Sequence, residues 1–268
     1  MRKENEVRAL LLAAGLGTRL CPLTDDWPKC LMPIGERPLL EYWLETLYST
    51  NVREVIVNLH HHSEIVQEFL NRPSFKDWVS SVYEKKLLGT AGTLRENKDF
   101  FQDCTTLLVH ADNWCQFDFV DFLNFHRKQR PEYCSITMMT FESPTPSTCG
   151  IVETDTNGVV IAFHEKSNKF MGNQANGAVY LLEPEVLKWI DEHPDNCDFS
   201  TEVLPHFMGR IAIWNNSGIH RDIGDLPMLR LAQSDPQLPS CWPETDNWQI
   251  FFLSNPIHQQ ITRKRQDA

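Results

Sequence analysis

The stretch LLLAAGLGTRLCPLT, residues 10–24, decides which fold the chain is expected to adopt. Its apolar start is typical of a buried strand, and the strand breaks abruptly into a turn at Gly15 and Gly17. Because glycine has no Cβ, the backbone of this turn can bend sharply and approach a ligand closely. Amide groups that point out of such a turn attract anions, and Arg19 and Lys29 place two cations within reach. The stretch therefore predicts a strand followed by a loop that binds a polyphosphate.

Helical and strand-like patterns alternate after this loop. Apolar residues repeat at helical spacing over residues 39–47, residues 54–59 are typical of a strand, and residues 65–70 return to helical spacing. This β-α-β-α order predicts parallel strands with right-handed crossovers. An Asn-Gly turn at residues 157–158 predicts a hairpin, which makes the sheet mixed.

Composition limits the classes of protein to which the chain can belong. Its 268 residues suffice for one large α/β domain, and no apolar run approaches the roughly 20 residues that span a bilayer. The formal charge of −11 argues against a general nucleic-acid binder. The charged residues 1–6 leave no room for a signal peptide, so we expect a cytoplasmic protein without a membrane partner. The eight cysteines form no Cys-x-x-Cys pair, which favours reduced thiols over zinc ligands.

Three short patterns concern local structure. Asp118 and Asp225 each precede a helical pattern and are expected to cap it, and Ser63 is a third candidate cap. The run His60-His61-His62 follows a strand, but three consecutive residues on a loop cannot easily face one ion. We therefore assign these histidines no metal chemistry.

Asp112 follows the apolar run at residues 105–110, where a strand is expected to end. Ligands of open parallel sheets bind at the carboxyl ends of the strands. A carboxylate in that position is suited to Mg²⁺, which prefers oxygen ligands together with phosphate, although an aspartate after a strand can also simply cap a helix. The loop LGTAGTL, residues 88–94, is similarly open to two interpretations, a ligand-binding loop or a plain strand-to-helix turn.

The longer string GLGTRLCPLTDDWPKCLMPIGERPLLEY, residues 15–42, resembles the signature of the sugar-1-phosphate nucleotidyltransferases. It is neither a Walker loop nor a dinucleotide fingerprint. The resemblance covers about residues 7–234 and implies a Rossmann-like three-layer α/β sandwich with a mixed, mainly parallel central sheet. It divides the chain into a nucleotidyltransferase domain, residues 1–234, and a C-terminal extension, residues 235–268, expected to dock on the core or at a subunit interface.

The resemblance also implies which residues hold the nucleotide. They come from the first loop and from the loop at residues 88–94, whose Gly-Thr-Ala-Gly form is most similar to guanylyltransferases that act on mannose-type sugar phosphates. The nucleotide-binding residues expected on this basis are Leu12, Ala13, Ala14, Gly15, Gly17, Thr18, Arg19, Gly89, Thr90 and Ala91.

Sugar, metal and catalytic residues are implied by later motifs. Asp222 of the string HRDIGDLP is similar to a family aspartate and is the expected partner of Asp112 on Mg²⁺, the expected cofactor. The family motif has glycine where Ala111 stands, which affects substrate fit, and often proline where Ser167 stands. The catalytic cations implied are Arg19, Lys29 and Lys166, and the substrate-binding residues are Gly150, Glu165, Lys166, Asn176 and Gly177.

The family's reaction joins a nucleoside triphosphate and a sugar 1-phosphate into an NDP-sugar and pyrophosphate, and the resemblance favours GTP and a mannose-type sugar. A homo-oligomer is possible. Two alternatives stay open: a cytidylyltransferase for phosphocholine or a related phosphate, and a non-catalytic regulatory subunit that binds a nucleotide sugar. The Glu165-Lys166 and Asn176-Gly177 motifs favour a sugar over the first. The presence of Arg19, Lys29, Asp112 and Asp222 together argues against the second.

Overall fold

The computed structural model describes residues 6–164, 172–242 and 245–262. The chain forms two compact units, each assembled from segments that are separate in the sequence. The first unit contains the residues through Leu10 with Leu87–His110 and Gln116–His220. The second contains Leu11–Lys86, Ala111–Cys115 and the residues from Arg221 onward. The division into domains at residue 234 stays a prediction.

The strands alternate with helices along most of the chain. The strands are β1 Val7–Leu12, β2 Pro33–Ile34, β3 Arg37–Pro38, β4 Glu54–Leu59, β5 Val79–Tyr83, β6 Thr105–His110, β7 Asn113–Gln116, β8 Ile136–Glu142, β9 Ile151–Thr154, β10 Val160–His164, β11 Gln174–Leu182, β12 Ile211–Asn215 and β13 Ile219–Asp222. The α-helices are α1 Leu23–Asp26, α2 Leu39–Ser49, α3 Ser63–Leu70, α4 Thr90–Glu96, α5 Phe119–Lys128, α6 Pro184–Glu192, α7 Leu226–Ala232, α8 Asn247–Ser254 and α9 Ile257–Thr262.

In the first unit, β11 is the central strand of a mixed sheet. It runs antiparallel to β6, with Val179 opposite Val109, and also pairs antiparallel with β8 and β9. Strand β10 is the antiparallel partner of β9, and β12 runs parallel to β8. The turn between β9 and β10 contains Gly158 at φ 73°, as the Asn-Gly pair predicts. The sheet is therefore mixed, in agreement with the sequence.

Helices cover this sheet with apolar side chains at helical spacing. Helix α5 buries Phe119 and Phe122, and α6 buries Val186 and Ile190. Strand β11 contributes Tyr180, which is fully buried. Burial of large apolar side chains is the main source of stability for such layers, at roughly 25 cal/mol per Å² removed from water.

In the second unit, β4 and β5 form a parallel pair that α3 connects. Strand β4 is buried from Val55 to Leu59, as expected for a strand covered on both faces. Helix α2 begins after Pro38, whose fixed φ suits a helix start, and buries Leu40, Trp43 and Leu47. The β-α-β alternation read from the sequence is thus present, and the expected α/β class is confirmed.

Residues 245–262 pack within the second unit. The ring of Trp248 lies 4.8 Å from that of Phe69 between centroids, and Phe252 lies 6.1 Å from Trp27. Phe252 is fully buried, whereas Phe251 on the same helix is 50% exposed. Packing of α8 against the residues of this unit buries part of the apolar surface noted in the sequence.

Two of the three predicted helix caps are present. Asp118 accepts from the amide of Asp121 and Asp225 from that of Met228, each across 2.9 Å. The third prediction is wrong, because α3 begins at Ser63 itself and the capping position belongs to His62. His62 has φ 50°, and its side chain makes no capping hydrogen bond.

Two findings concern the whole described chain. Within residues 6–164, 172–242 and 245–262, every helix is too short or too polar to cross a membrane. The eight cysteines all fall in this part of the chain, and none of them forms a disulfide.

Candidate active site

The turn after β1 depends on Gly17. Gly17 has φ 65°, and a Cβ at this position would lie 2.7 Å from Cγ2 of Thr24 and 3.1 Å from Cβ of Lys29. The Thr24 hydroxyl donates to the carbonyl of Gly17 across 2.9 Å. Only glycine combines this backbone conformation with this closeness to Thr24. The observed conformation of the loop therefore depends on glycine at position 17.

The loop has amide groups available for an anion. Within the described part of the chain, the amides of Gly15, Leu16 and Gly17 donate to no protein acceptor. Gly15 and Leu16 are exposed, and Thr18 and Arg19, which begin a single turn of 3-10 helix, are exposed as well. This arrangement fits the anion-binding concavity predicted from the sequence.

The residues just before this turn are buried. Leu12 is the last residue of β1, and Ala13 and Ala14 are 7% and 4% exposed. The amide of Ala13 donates to Oδ1 of Asn58 across 2.7 Å, and Nδ2 of Asn58 donates to Oε1 of Glu84 across 2.9 Å. Asn58 and Glu84 are both buried, so this chain of hydrogen bonds fixes where the loop begins. Sequence reasoning missed both, although a lone asparagine inside the apolar run VIVNL is a signal that could have found Asn58.

Two carboxylates converge on one buried ammonium. Nζ of Lys29 donates to Oδ2 of Asp112 across 2.8 Å and to Oδ1 of Asp222 across 3.2 Å. The Lys29 side chain is 6% exposed, whereas those of Asp112 and Asp222 are 29% and 50% exposed. The predicted meeting of two acidic side chains that are far apart in the sequence therefore occurs.

Arg19 completes this cluster from the solvent side. Its Nη2 donates to Oδ2 of Asp222 across 2.9 Å, and its side chain is 66% exposed. The guanidinium lies over Gly224, where a Cβ would come within 2.3 Å of Nη2. Gly224 is thus required for the observed position of Arg19. Sequence reasoning quoted Gly224 only as part of a motif.

The electrostatics of the cluster favour the charged forms of Lys29, Asp222 and Arg19. Burial lowers the pKa of Lys29, but the charges of Asp112 and Asp222 and their hydrogen bonds outweigh burial, so the net shift is upward. For Asp222, burial acts to raise the pKa, and the cations Lys29 and Arg19 lower it by more. The hydrogen bond and charge of Asp222 raise the pKa of Arg19.

The loop at residues 88–94 belongs to the first unit and forms the start of α4. Gly89 has φ 78°, and a Cβ there would lie 2.5 Å from the carbonyl oxygen of Cys197. That carbonyl accepts from the amide of Ala91 across 2.8 Å, and the Thr90 hydroxyl accepts from the amide of Phe199 across 2.6 Å. Ala91 is fully buried. The expected nucleotide contacts of these residues stay predictions, with the Ala91 amide already bonded within the protein.

Three of the expected sugar-binding residues also lie in the first unit. The carbonyl of Gly150 accepts from the amide of Asn176 across 2.9 Å. The Asn176 side chain accepts from the amide of Ala178 across 2.9 Å and donates to the hydroxyl of Tyr180 across 2.6 Å. Ala178 has φ 53°, and the pairing of β11 with β8 shifts register between Asn176 and Tyr180. Asn176 therefore stabilises a bulge at Gly177 and keeps further hydrogen-bonding capacity for a ligand.

Glu165 and Lys166, the remaining predicted substrate and catalytic residues, lie outside the described residues. Their roles stay predictions.

The histidine run at residues 60–62 forms a strand-end turn, as expected. Nδ1 of His60 lies 2.8 Å from the carbonyl oxygen of Glu84. Nε2 of His61 and Nε2 of His62 lie 3.0 and 3.1 Å from the carbonyl oxygen of Thr24. In the part of the chain that the structure describes, no group of three or more His, Cys, Asp or Glu side chains is arranged to hold a metal.

A family model described as nucleotidyl transferase matches residues 8–235 of the chain. The chain belongs to the nucleotidyl transferase family. This assignment confirms the family that residues 15–42 resemble.

Named relatives of this nucleotidyl transferase come from several eukaryotes. A mannose-1-phosphate guanyltransferase of Yarrowia lipolytica is 28% identical over 81% of this chain and 61% of its own length. A mannose-1-phosphate guanylyltransferase catalytic subunit beta of Drosophila pseudoobscura is 31% identical over 82% of this chain and 60% of its own length. The chain thus spans about three fifths of the length of the curated relatives it matches.

A solved structure agrees with the fold. A protein from Bacillus anthracis assigned as a glucose-1-phosphate thymidylyltransferase, in complex with a sucrose, superposes with a TM-score of 0.74. The two chains are 21% identical, and the match covers 87% of this chain and 98% of the other. The likeness confirms the expected Rossmann-like α/β fold.

The carboxylate pair of this nucleotidyl transferase fits a divalent cation. Asp112 and Asp222 direct oxygens at one point, and that point is occupied by a cation, the Lys29 ammonium. Mg²⁺ sites that also bind phosphates typically take one or two carboxylates from the protein and complete the shell with water and phosphate oxygens. The donor set present is therefore of the right chemistry and number.

Proposed function

We propose that this nucleotidyl transferase joins a nucleoside triphosphate to a sugar 1-phosphate, producing an NDP-sugar and pyrophosphate. The observation that carries the proposal is the convergence of Asp112 and Asp222 on Lys29, beside a glycine loop with open amides and Arg19. Such a cluster is suited to gripping a polyphosphate, because it combines fixed cations with oriented N–H groups.

The reaction in this proposal is one in-line displacement. An oxygen of the sugar phosphate forms a bond to the α-phosphorus, and the bond from that phosphorus to the α,β-bridging oxygen breaks. Pyrophosphate leaves with the electron pair. Positioning and charge neutralisation supply most of the rate in such transfers. Arg19 offers a planar fork to phosphate oxygens, and Lys29 offers a compact charge whose position is fixed by burial.

The proposal needs no covalent enzyme intermediate. Cys30 is the thiol next to Lys29 in the sequence, and it is 1% exposed. Burial raises the pKa of this thiol to about 12, so almost none of it is thiolate at neutral pH. A direct attack by the sugar phosphate is therefore the simpler reaction.

Mg²⁺ is part of the proposal, with Asp112 and Asp222 as its protein ligands. When bound, it would neutralise phosphate charge and favour departure of pyrophosphate. Lys29 and Arg19 lower the pKa of Asp222, which favours its ionised form, the form that binds a metal ion.

The substrates in this proposal are GTP and a mannose-type sugar 1-phosphate. Support comes from the names of the two relatives described above and from the Gly-Thr-Ala-Gly form of residues 89–92. The proposal assigns the sugar phosphate to Gly150, Asn176 and Gly177, together with Glu165 and Lys166. A cytoplasmic location and a homo-oligomer stay predictions from the sequence.

A substrate matrix tests the proposal. Purified protein with Mg²⁺ is assayed for pyrophosphate release with ATP, CTP, GTP, TTP and UTP, each against mannose 1-phosphate, glucose 1-phosphate and phosphocholine. We expect the highest kcat/KM for GTP with mannose 1-phosphate. Turnover confined to CTP with phosphocholine would favour the cytidylyltransferase alternative. Tight binding of a nucleotide sugar without turnover in any combination would favour the regulatory subunit.

A matched pair of variants separates site chemistry from general damage in the same assay. Asp112→Asn removes one carboxylate from the cluster and is expected to abolish turnover. Asp118→Asn changes a helix cap in the same way, and asparagine is an equally good cap, so its turnover is expected to be normal. Equal activity of the two variants would contradict the role of Asp112.

A further inference from the structure

Asp235 is a buried carboxylate that does not belong to the cluster of Arg19, Lys29, Asp112 and Asp222. It accepts three hydrogen bonds, one from an indole and two from a guanidinium. It is 9% exposed. Its Oδ2 accepts from Nε1 of Trp114 across 2.8 Å and from Nε of Arg221 across 2.6 Å, and its Oδ1 accepts from Nη2 of Arg221 across 2.6 Å. The contact with Arg221 is therefore bidentate, the geometry in which an arginine-carboxylate pair is strongest.

One partner of Asp235, Trp114, is held firmly by packing. Trp114 is fully buried, and its ring meets Tyr42 edge-on with 4.7 Å between the centroids. A buried indole N–H needs an acceptor, and Asp235 supplies it. A buried carboxylate in turn needs a cation, and Arg221 supplies that. Asp235 thus joins Trp114 to Arg221, and its loss leaves the buried indole N–H of Trp114 without an acceptor.

These partners stand next to the two carboxylates of the site. Trp114 lies two residues after Asp112 on β7, and Arg221 immediately precedes Asp222 on β13. Strands β7 and β13 pair with each other as a two-stranded sheet. Asp235 therefore links, through side chains, β7, which Asp112 immediately precedes, and β13, whose last residue is Asp222.

We propose that Asp235 is a positioning residue that sets the separation of Asp112 and Asp222 by binding Trp114 and Arg221. It touches neither carboxylate and acts on both through its partners. Because Asp112 and Asp222 converge on a single ammonium, a change in their separation changes whether one cation can reach both. The inference rests on the proposed function, in which that cation is Mg²⁺.

Two variants test this role. Asp235→Asn keeps the shape and one acceptor for Trp114, but it turns an amide toward Arg221 and removes the ion pair. Trp114→Phe keeps an aromatic ring beside Tyr42 and removes only the indole donor. The first is expected to raise the Mg²⁺ concentration for half-maximal turnover about tenfold, the second by less, since outer partners of metal ligands typically change affinity or activity 10–100-fold. KM for the sugar phosphate is expected to stay unchanged.

A second readout does not depend on turnover. Binding of Mn²⁺ in the presence of GTP, without sugar phosphate, is followed by electron paramagnetic resonance. We expect about tenfold weaker Mn²⁺ binding to Asp235→Asn than to the wild type.

The matched control is Asp246→Asn. Asp246 also forms an ion pair with an arginine, since its Oδ2 accepts from Nε of Arg72 across 2.7 Å, but this arginine is not next to Asp112 or Asp222 in the sequence. Asp246→Asn is expected to lower the melting temperature to a similar extent and to leave Mn²⁺ binding and the Mg²⁺ requirement unchanged. If Asp235→Asn lowers only the melting temperature, as the control does, the positioning role is wrong.

The two proposals can fail separately. If the wild type binds Mn²⁺ with GTP but does not turn over any sugar phosphate, the proposed function is contradicted. In that case the Mn²⁺ measurement on the variants still tests the role of Asp235. A wild type that binds no Mn²⁺ with GTP contradicts the positioning role. Normal wild-type turnover with unaltered Mn²⁺ binding in both variants also contradicts it.

Discussion

The ammonium of Lys29 donates to a carboxylate oxygen of Asp112 across 2.8 Å, although 83 positions separate the two residues in the sequence. Lys29 extends from a 3-10 turn that follows α1, and Asp112 extends from the two-residue turn between β6 and β7. Because the lysine is buried, its ammonium is poorly hydrated and depends on the carboxylates for stabilisation, unlike the ammonium of a surface ion pair. The contact fixes a cation and an anion beside a loop with open amides.

Replacing Lys29 with methionine is expected to lower turnover about 10²–10³-fold, the usual cost of removing one fixed donor from a site where charge develops. Methionine keeps the apolar stem and removes the ammonium. Pyrophosphate release measures the effect, and circular dichroism checks that the fold is intact. Lys98→Met is the control, since Lys98 forms an exposed pair with Asp191 at 2.7 Å. A Lys29→Met enzyme within threefold of the control would contradict the assigned role.

Gly17→Ala is expected to weaken nucleotide binding and to destabilise the protein. The added Cβ meets Cγ2 of Thr24 at 2.7 Å, and φ 65° adds roughly 1–2 kcal/mol of strain for a residue other than glycine. Binding of GTP by calorimetry and urea denaturation measure the two effects. Adding Thr24→Ser to Gly17→Ala should restore part of the loss, because serine keeps the hydroxyl and lacks Cγ2.

The control for this prediction is Gly209→Ala. Gly209 has φ 79°, but a Cβ there would meet nothing within 4 Å. This variant therefore reports backbone strain alone, and GTP binding should be normal. If Gly17→Ala and Gly209→Ala bind GTP equally well, the close contact with Thr24 is not what shapes the loop.

The features that could be predicted from the sequence are those that depend on residues close together along the chain. The caps by Asp118 and Asp225 and the tight turn at Gly158 need only a few consecutive residues, and all three are present. The glycine turn after β1 was predictable for the same reason. The α/β class followed from the alternation of apolar patterns, which reports the faces that each element buries. Ser63 failed as a cap because His62 takes up the left-handed conformation one position earlier.

Features that depend on distant partners could not be predicted from residue patterns alone. The meeting of Asp112 with Asp222 was expected only from the family resemblance. The shared carboxylate of Asp235 joins residues 114 and 221, and no local pattern reports such a contact. Likewise, the amide of Ala91 donates to the carbonyl of Cys197 rather than facing outward from its loop. In each case tertiary packing determines the partner, and neither residue propensity nor hydrophobic periodicity contains that information.

The stability of the protein is expected to fall as the pH drops below about 6.5, because of His126. Burial lowers the pKa of this histidine, despite the nearby Glu183. At a pH below 6.5, the ordinary pKa of histidine, this ring takes up a proton in the unfolded chain but not in the folded chain. Acid therefore favours unfolding. Urea denaturation at pH 7.5, 6.5 and 5.5 measures the free energy of unfolding.

A variant that lacks the titrating ring isolates this effect. In His126→Gln the decrease between pH 7.5 and 5.5 should be smaller, with the remainder due in part to His258, whose pKa burial also lowers. His193→Gln is the control, because His193 is exposed and stacks on Trp189. An unchanged pH dependence in His126→Gln would show that another group is responsible.

Glu41→Gln is expected to destabilise the second unit by about 3 kcal/mol, because it removes the buried carboxylate that Arg37 and Arg72 share, leaving each arginine with one carboxylate in place of two. Glu41 is 3% exposed, and its two oxygens accept from Nε of Arg37 across 2.9 Å and from Nη1 of Arg72 across 2.5 Å. A neutral amide can accept from one arginine only and turns a donor toward the other. Urea denaturation at pH 7 measures the loss. The control is Lys188→Gln, which breaks an exposed pair with Glu192 at 3.8 Å and should change the free energy of unfolding by less than about 0.5 kcal/mol. A similarly small change in Glu41→Gln would mean that the buried pairs contribute no more than a surface pair.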